Sequence, residues 1–221
     1  MNNKELKYIK EQTPELCMAA VMQDGLALRY VEEQRPEICM AAVKQNGWAL
    51  EVVKEQTPEL CMAAVKQNGW VLEVVKEQTP ELCMAAVIHD GWALYFVKEQ
   101  TPEICLTAVK QDCLAIKLVK KQTHEICMAA VMQDGLALRY VKNQSPTICM
   151  AAVKQNGWAL EVVKEQTPEL CIAAVKDQTP EICMAAVKEN PSSNRKELTM
   201  ENLHRIVRCS ECGGYVNLGE V

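Results

Sequence analysis

Only one of the 221 residues is phenylalanine, three are histidine, and glycine and proline number nine each. No apolar run approaches the ~18 residues that a membrane-spanning helix needs. The first five residues, Met1-Asn2-Asn3-Lys4-Glu5, lack the apolar core of a signal peptide. The chain therefore reads as soluble and cytoplasmic. No phosphate-binding glycine loop and no nucleophile motif is present, and His89, His124 and His204 are scattered. A non-enzymatic protein without a cofactor is expected. A formal charge of −5 argues against a broad nucleic-acid footprint. Hydrophobic residues make up 49%, enough for a core, which excludes wholesale disorder.

What the sequence has is a repeat. Gln12, Gln34, Gln56, Gln78, Gln100, Gln122, Gln144 and Gln166 stand 22 residues apart, and Gln178 follows after twelve. The chain opens in the second half of a repeat, runs through seven full ones and then two truncated ones, and loses the pattern near Glu189. Cys17–Cys61 and Cys127–Cys171 differ at four of 45 positions, Glu32/Lys142, Glu33/Asn143, Arg35/Ser145 and Glu37/Thr147. The offset of 110 residues marks duplication of a five-repeat block. A catalytic site rarely survives such copying; a modular surface does.

Within one repeat, Thr57-Pro58-Glu59 is a helix start. Thr caps, Pro suits the first turn, and Glu complements the helix dipole. Asn68-Gly69 ends that helix, with Gly as a left-handed cap. Trp70–Glu77 then forms a second short helix, closed by Gln78-Thr79-Pro80. Helices this short need neighbours. Their wide apolar faces, with Trp48, Ala49, Leu50, Val52 and Val53 on the second helix and Ile38–Val43 on the first, predict an all-α solenoid of stacked helix pairs. A strand-based, leucine-rich solenoid has a similar period, but the central Ala-Ala and the lack of period-two alternation oppose it.

The repeat starting at Gln100 departs from the pattern, with Thr107, Cys113, Leu114 and, at the next start, His124. This is either drift or a joint near residues 111–124.

The string Ala41-Ala42-Val43-Lys44-Gln45-Asn46-Gly47-Trp48-Ala49-Leu50 resembles the repeats of domain-of-unknown-function family 4116. Such repeats are familiar from giant DNA viruses of amoebae and from some bacteria, and the resemblance covers residues 1 to about 189. It implies a helical repeat protein, in host cytoplasm if viral, and carries no activity, cofactor or site residue.

Nine cysteines, Cys17 to Cys183, share one register. Stacked helices lie ~8–10 Å apart, too wide for the ~4.4–6.8 Å of a disulfide, so each is expected to be a small buried apolar residue in a reducing compartment. Cys209-x-x-Cys212-Gly-Gly differs. It resembles a zinc knuckle, with His204 as third ligand and no fourth before Val221. Residues 190–194 read as a linker, and Arg195–Arg208 as a helix that can cap the array.

Binding is expected on exposed positions that vary while the core repeats. Arg29, Glu51, Glu73, Tyr95, Lys117, Arg139 and Glu161 form that register, and Arg29, Tyr95, Lys117 and Arg139 are the candidate partner contacts. Trp48, Trp70, Trp92 and Trp158 form another row, either core or hot spots. A scaffold for a protein partner is the leading reading. Single-stranded nucleic-acid binding through Lys44-Gln45-Asn46, and an expansion product with no dedicated role, are the alternatives.

Overall fold

The computed structural model describes residues 3–9, 11–176, 206–208 and 215–217. Among the described residues eight α-helices follow one another: α1 (Pro14–Gln23), α2 (Pro36–Gln45), α3 (Pro58–Gln67), α4 (Pro80–His89), α5 (Pro102–Gln111), α6 (His124–Gln133), α7 (Pro146–Gln155) and α8 (Pro168–Lys176). A six-residue 3₁₀ helix precedes each one. The first is Asn3–Tyr8, and Gly47–Val52, Gly69–Val74 and Gly91–Phe96 are typical later ones. The array is therefore the expected all-α solenoid with a 22-residue period. The chain divides into two compact bodies, Met1–Leu118 and Val119–Val221, and the division falls inside the divergent segment 111–124. Within the first body α1 to α5 pack in succession, and within the second α6 to α8 do.

The α-helix starts follow from the sequence. Thr13, Thr57, Thr79, Thr101, Thr123 and Ser145 adopt extended backbone, and each side-chain oxygen accepts from the N–H three residues on. Pro occupies the first turn in all but α6, where His124 stands. Arg35 breaks the rule. It makes no side-chain cap and pairs instead with Glu33 at 3.1 Å.

The second helix of each repeat is shorter and tighter than expected. It is a 3₁₀ helix of six residues, Gly69–Val74, rather than a helix running to Glu77. The Asn or Asp before it sets this geometry. Asn68 ends α3 in extended conformation (φ −152°, ψ 112°) while its side chain accepts from Trp70 N at 2.9 Å and caps the next helix. Val75 is then extended (φ −72°, ψ 119°), and Lys76 and Glu77 bend the chain into the next start.

The glycine after the Asn is not a left-handed cap either. None of Gly25, Gly47, Gly69, Gly91 and Gly135 has positive φ. A Cβ there would meet the following repeat: 2.6 Å from Ala86 O at Gly69, and 2.6 Å from Ala108 O at Gly91. Glycine is required by close approach, not by backbone conformation.

The core is small and repetitive. In the repeat at Gln34 it consists of Ile38, Cys39, Ala42, Val43, Ala49, Leu50 and Val53, and equivalents recur along the array. Among the described residues no polar or charged residue is buried, and no buried side-chain nitrogen or oxygen lacks a partner.

Repeats are joined by the glutamine that marks the period. Gln78 Nε2 donates to Leu72 O in the preceding repeat (3.2 Å) and to Phe96 O in its own (3.0 Å). Its Oε1 accepts from Lys98 N (3.0 Å) and from the Cys83 thiol (3.7 Å). Gln12, Gln34, Gln56 and Gln144 repeat the pattern of two carbonyls and one downstream N–H. A second glutamine, at the α-helix C-terminus, reaches backwards. Gln111 accepts from Gly91 N at 2.7 Å and Gln45 from Gly25 N at 2.6 Å, while Gln67 accepts from Gly47 N and donates to Lys44 O. His89 replaces it in α4 and holds Gly69 N through Nδ1 at a longer 3.4 Å. Lysines form a third ladder, Lys76 Nζ to Lys54 O and Lys98 Nζ to Lys76 O, both 3.1 Å.

Beyond the array, strand β1 (Ile206–Arg208) pairs antiparallel with β2 (Tyr215–Asn217), Val207 opposite Val216. The sequence suggests a helix through Arg208. The β-branched pair Ile206-Val207 instead takes the hairpin partner available at Val216. The linker and the remainder of that expected helix lie outside the described residues.

Two outcomes test this account. Gly91→Asn, which a left-handed cap would tolerate, should destabilise the protein as Gly91→Ala does, by about 1–3 kcal/mol in chemical denaturation. Gln78→Glu keeps the size and the acceptors but removes both N–H donors. It should cost roughly 2–4 kcal/mol, because Phe96 O loses its side-chain donor, Leu72 O keeps only Val75 N, and both carbonyls face a carboxylate; an unchanged midpoint would remove the glutamine from its central role.

Candidate interaction surface

The 3₁₀ geometry decides which residues face outward. At three residues per turn, positions i and i+3 eclipse. In Gly47–Val52 the buried positions are Gly47, Ala49 and Leu50, which leaves Trp48 and Glu51 aligned on the outer side. The same holds for Trp70 with Glu73 and for Trp92 with Tyr95. The tryptophan row and the variable register, separate on an α-helical wheel, form one outer stripe.

All four sequence-predicted contacts are exposed. Arg29, Tyr95 and Lys117 belong to the first body and Arg139 to the second. Tyr95 is 70% exposed. Arg139 Nε donates to Leu136 O at 3.2 Å.

The tryptophans are neither core nor free. Trp48 and Trp92 are half-buried and Trp70 is 41% exposed. Two are clamped by the next repeat: Trp70 Nε1 donates to Asp90 Oδ2 (2.6 Å) and Trp92 Nε1 to Asp112 Oδ2 (2.7 Å). These are charge-assisted bonds that fix the indole planes. Phe96 meets Trp70 edge-on at 5.5 Å and Tyr95 at 5.1 Å. Lys117 Nζ lies 6.0 Å from the Trp92 ring centre. The first body thus carries an aromatic cluster, Trp70, Phe96 and Tyr95, and a second anchor, Trp92, braced by Asp112 with Lys117 beside it. Phe96 and the two clamping aspartates are the parts that the sequence reading does not name as contacts. Phe96 being the single phenylalanine of the chain was the available signal.

Among the described residues, grooves open beside the α-helix starts and outer faces. The one lined by Gln34, Pro36, Cys39, Met40, Lys54 and Leu60 has a counterpart lined by Gln144, Pro146, Cys149, Met150, Lys164 and Leu170. A groove that recurs with the repeat belongs to the architecture.

The cysteines Cys17, Cys39, Cys61, Cys83, Cys105, Cys127, Cys149 and Cys171 are buried and unbridged, as the spacing requires. They also donate weakly to the ladder glutamines, at 3.6–3.9 Å where Cys17, Cys61, Cys83, Cys105, Cys127 and Cys149 do so. Burial pushes the thiols of Cys39, Cys61, Cys83, Cys127 and Cys149 up, so they are protonated at neutral pH. Cys113 alone among the described cysteines is only half-buried. No group of three His, Cys, Asp or Glu side chains is arranged to hold a metal among the described residues, and none of their helices is long and apolar enough to cross a membrane. His204, Cys209 and Cys212, the expected zinc ligands, lie outside the described residues, as does Cys183.

Alkylation of the native chain at neutral pH, read cysteine by cysteine by mass spectrometry, should leave Cys39, Cys61 and Cys83 unmodified while Cys113 reacts. Denaturant should release them all. Early labelling of Cys83 would contradict its burial.

The family model described as Domain of unknown function (DUF4116) matches residues 13–57, 36–79, 101–145 and 124–170. No curated protein and no solved structure matches the chain.

Proposed function

Because this chain belongs to the DUF4116 family, described only as a domain of unknown function, we propose from its own surface that it is a non-enzymatic scaffold that binds a protein partner. The binding face is the outer stripe of the 3₁₀ helices in the first body. The observation that carries this is a contrast between two sets of positions in one frame. The ladder and core positions keep their residue type from repeat to repeat, while the eclipsed outer position runs Arg29, Glu51, Glu73, Tyr95, Lys117.

The stripe has the composition of a contact surface. Aromatic anchors with few rotatable bonds lose little entropy on binding, and Trp70 and Trp92 are already held in place. Charges of both signs along the row supply register and partner choice. Arg139 carries the same chemistry in the second body. Unbridged cysteines along the array suit a reducing compartment, and we place the protein in the cytoplasm on that ground.

Affinity capture at moderate salt, with the full chain as bait, tests the reading. The partner retained by the parent chain should be lost, roughly tenfold or more, from Arg29→Ala/Tyr95→Ala/Lys117→Ala. Thermal unfolding of that variant should be nearly unchanged, since the three side chains are exposed. Retention at full strength would move the function off the stripe.

A further inference from the structure

The duplicated block contains an experiment already made by the molecule. Its four differences all fall within six residues, Glu32–Glu37 against Lys142–Thr147. Glu32, Glu33, Arg35 and Glu37 are exposed, and so are Lys142, Asn143 and Thr147, with Ser145 half-buried. The glutamine ladder is untouched by them, while the lysine ladder gains Lys142, whose Nζ donates to Lys120 O at 3.1 Å. Gln34 and Gln144 make the same bonds, and the N–H of the residue 20 further on serves each one.

The segment that carries them borders both grooves: Gln34 and Pro36 line the first, and Lys142, Asn143, Gln144, Ser145 and Pro146 line the second. The groove between α2 and α3, about 480 Å³, has Pro36, Cys39, Met40 and Leu60 as its apolar lining. The groove between α7 and α8, about 770 Å³, has Pro146, Cys149, Met150 and Leu170 in the same places, and extends to Lys142, Asn143 and Ser145. The lining is the same; the surrounding charge is not. At the first, Glu55 and Glu59 line the groove with Lys54, and the neighbours of its lining residues Gln34 and Pro36 in the chain add Glu32, Glu33 and Glu37 against Arg35, five carboxylates to two cations. Around the second, Glu165 and Glu169 balance Lys142 and Lys164. Arg35 is paired with Glu33, and no ion pair is found for the other carboxylates of the first groove among the described residues. Glu59 is held ionised by the backbone N–H groups and Thr57 at its helix start.

We propose that the groove between α2 and α3 is a docking site for an extended peptide segment that places one apolar side chain over Met40 and Leu60 and flanks it with Lys or Arg, and that its copy between α7 and α8 rejects the same segment. The occupant follows from charge complementarity: an apolar floor rimmed by excess carboxylate desolvates least against a segment that is apolar at its centre and cationic on both sides. Successive gaps of the first body continue the rim with Glu77, Glu81, Glu99 and Glu103, so a longer basic segment has a path along the edge. The site uses none of the outer-stripe residues, so it goes beyond the scaffold reading, and either can fail alone.

The test uses the full chain and a fluorescein-labelled heptapeptide with one leucine between paired lysines and arginines. Its counterpart has glutamates in their place. The decisive variant is E32K/E33N/R35S/E37T, which writes the second copy's residues into the first. The array already carries that segment at 142–147, so the fold accommodates it, and thermal unfolding checks this. The basic peptide should bind the parent chain and weaken roughly fivefold or more in the swap, while the acidic peptide should not bind. A charge-matched control, M22K/I88K/M132K, adds the same three positive charges at exposed positions where sister repeats carry Lys44, Lys66 and Lys154. It should bind like the parent. Equal affinity in parent and swap, an equal loss in the control, or binding of the acidic peptide at similar strength would each overturn the proposal.

Discussion

One side-chain amide per repeat holds this array together. A repeat made of a ten-residue α-helix, a six-residue 3₁₀ helix and a short link leaves an orphan carbonyl at the end of each 3₁₀ helix, such as Phe96 O, and an orphan N–H at Lys98, and a carbonyl with a lone pair to spare at Leu72, which accepts from Val75 N as well. These groups sit where one repeat meets the next, and the two carbonyl bonds are part-buried. Left unmade, each bond would cost about 1–3 kcal/mol. Glutamine is the side chain that answers all of them: two donors, one acceptor oxygen with two lone pairs, and the reach to cross the joint. Glutamate has no donor, and asparagine is one methylene shorter. The period of the chain is the period of this joint.

The joint also fixes what the rest of the repeat can be. The 3₁₀ helix must come close enough for the backward-reaching glutamine to take the Gly N–H, and that approach leaves no room for a Cβ. It must end in time to hand its carbonyl to the next Gln. Six residues satisfy both, and a tight helix of three residues per turn puts two of the six outside. The residues that face outward are then free of structural duty except where they brace one another, as Trp70 and Trp92 do through Asp90 and Asp112. A surface built this way changes its chemistry without changing its shape.

How much of this was legible in the sequence depended on whether a residue's role is local. The α-helix starts were legible, because Thr-Pro-Glu acts on its own backbone and its cap bonds span three residues. The solenoid was legible because the period is exact. The 3₁₀ helix was not, since a short apolar stretch after Asn-Gly fits an α-helical wheel equally well, and only contact with the neighbouring repeat selects the tighter coil. The glycine was misread for the same reason: its constraint is a carbonyl 17 residues away in sequence, Ala86 O for Gly69. The glutamine ladder was visible as an invariant column yet silent as to cause, because a polar residue at a fixed position reads equally as surface. The α-helical wheel also split the tryptophans and the variable register into two rows, which a period of three merges. At the tail, Ile206-Val207 carried a strand signal that the apolar spacing of Leu198, Leu203 and Ile206 concealed.

The two near-identical blocks separate duty from freedom more cleanly than any single repeat. Glu32 and Lys142 differ in charge, yet both present the backbone N–H that a ladder glutamine accepts from. Arg35 and Ser145 differ in capping, yet hold nearly the same extended conformation, φ −74°, ψ 149° against φ −81°, ψ 156°. Backbone groups meet the glutamine joint at these positions; Lys142 adds a side-chain bond to Lys120 O and Ser145 caps α7, and Glu32 and Arg35 do without either, so the fold accepts both sets. Where the fold places no demand, a difference of three charges between equivalent grooves is available to discriminate between partners. Copying preserves the frame because the frame is written in Gln, Gly, Cys and Ala; it permits divergence at the helix starts because the glutamine joint is met there by backbone groups.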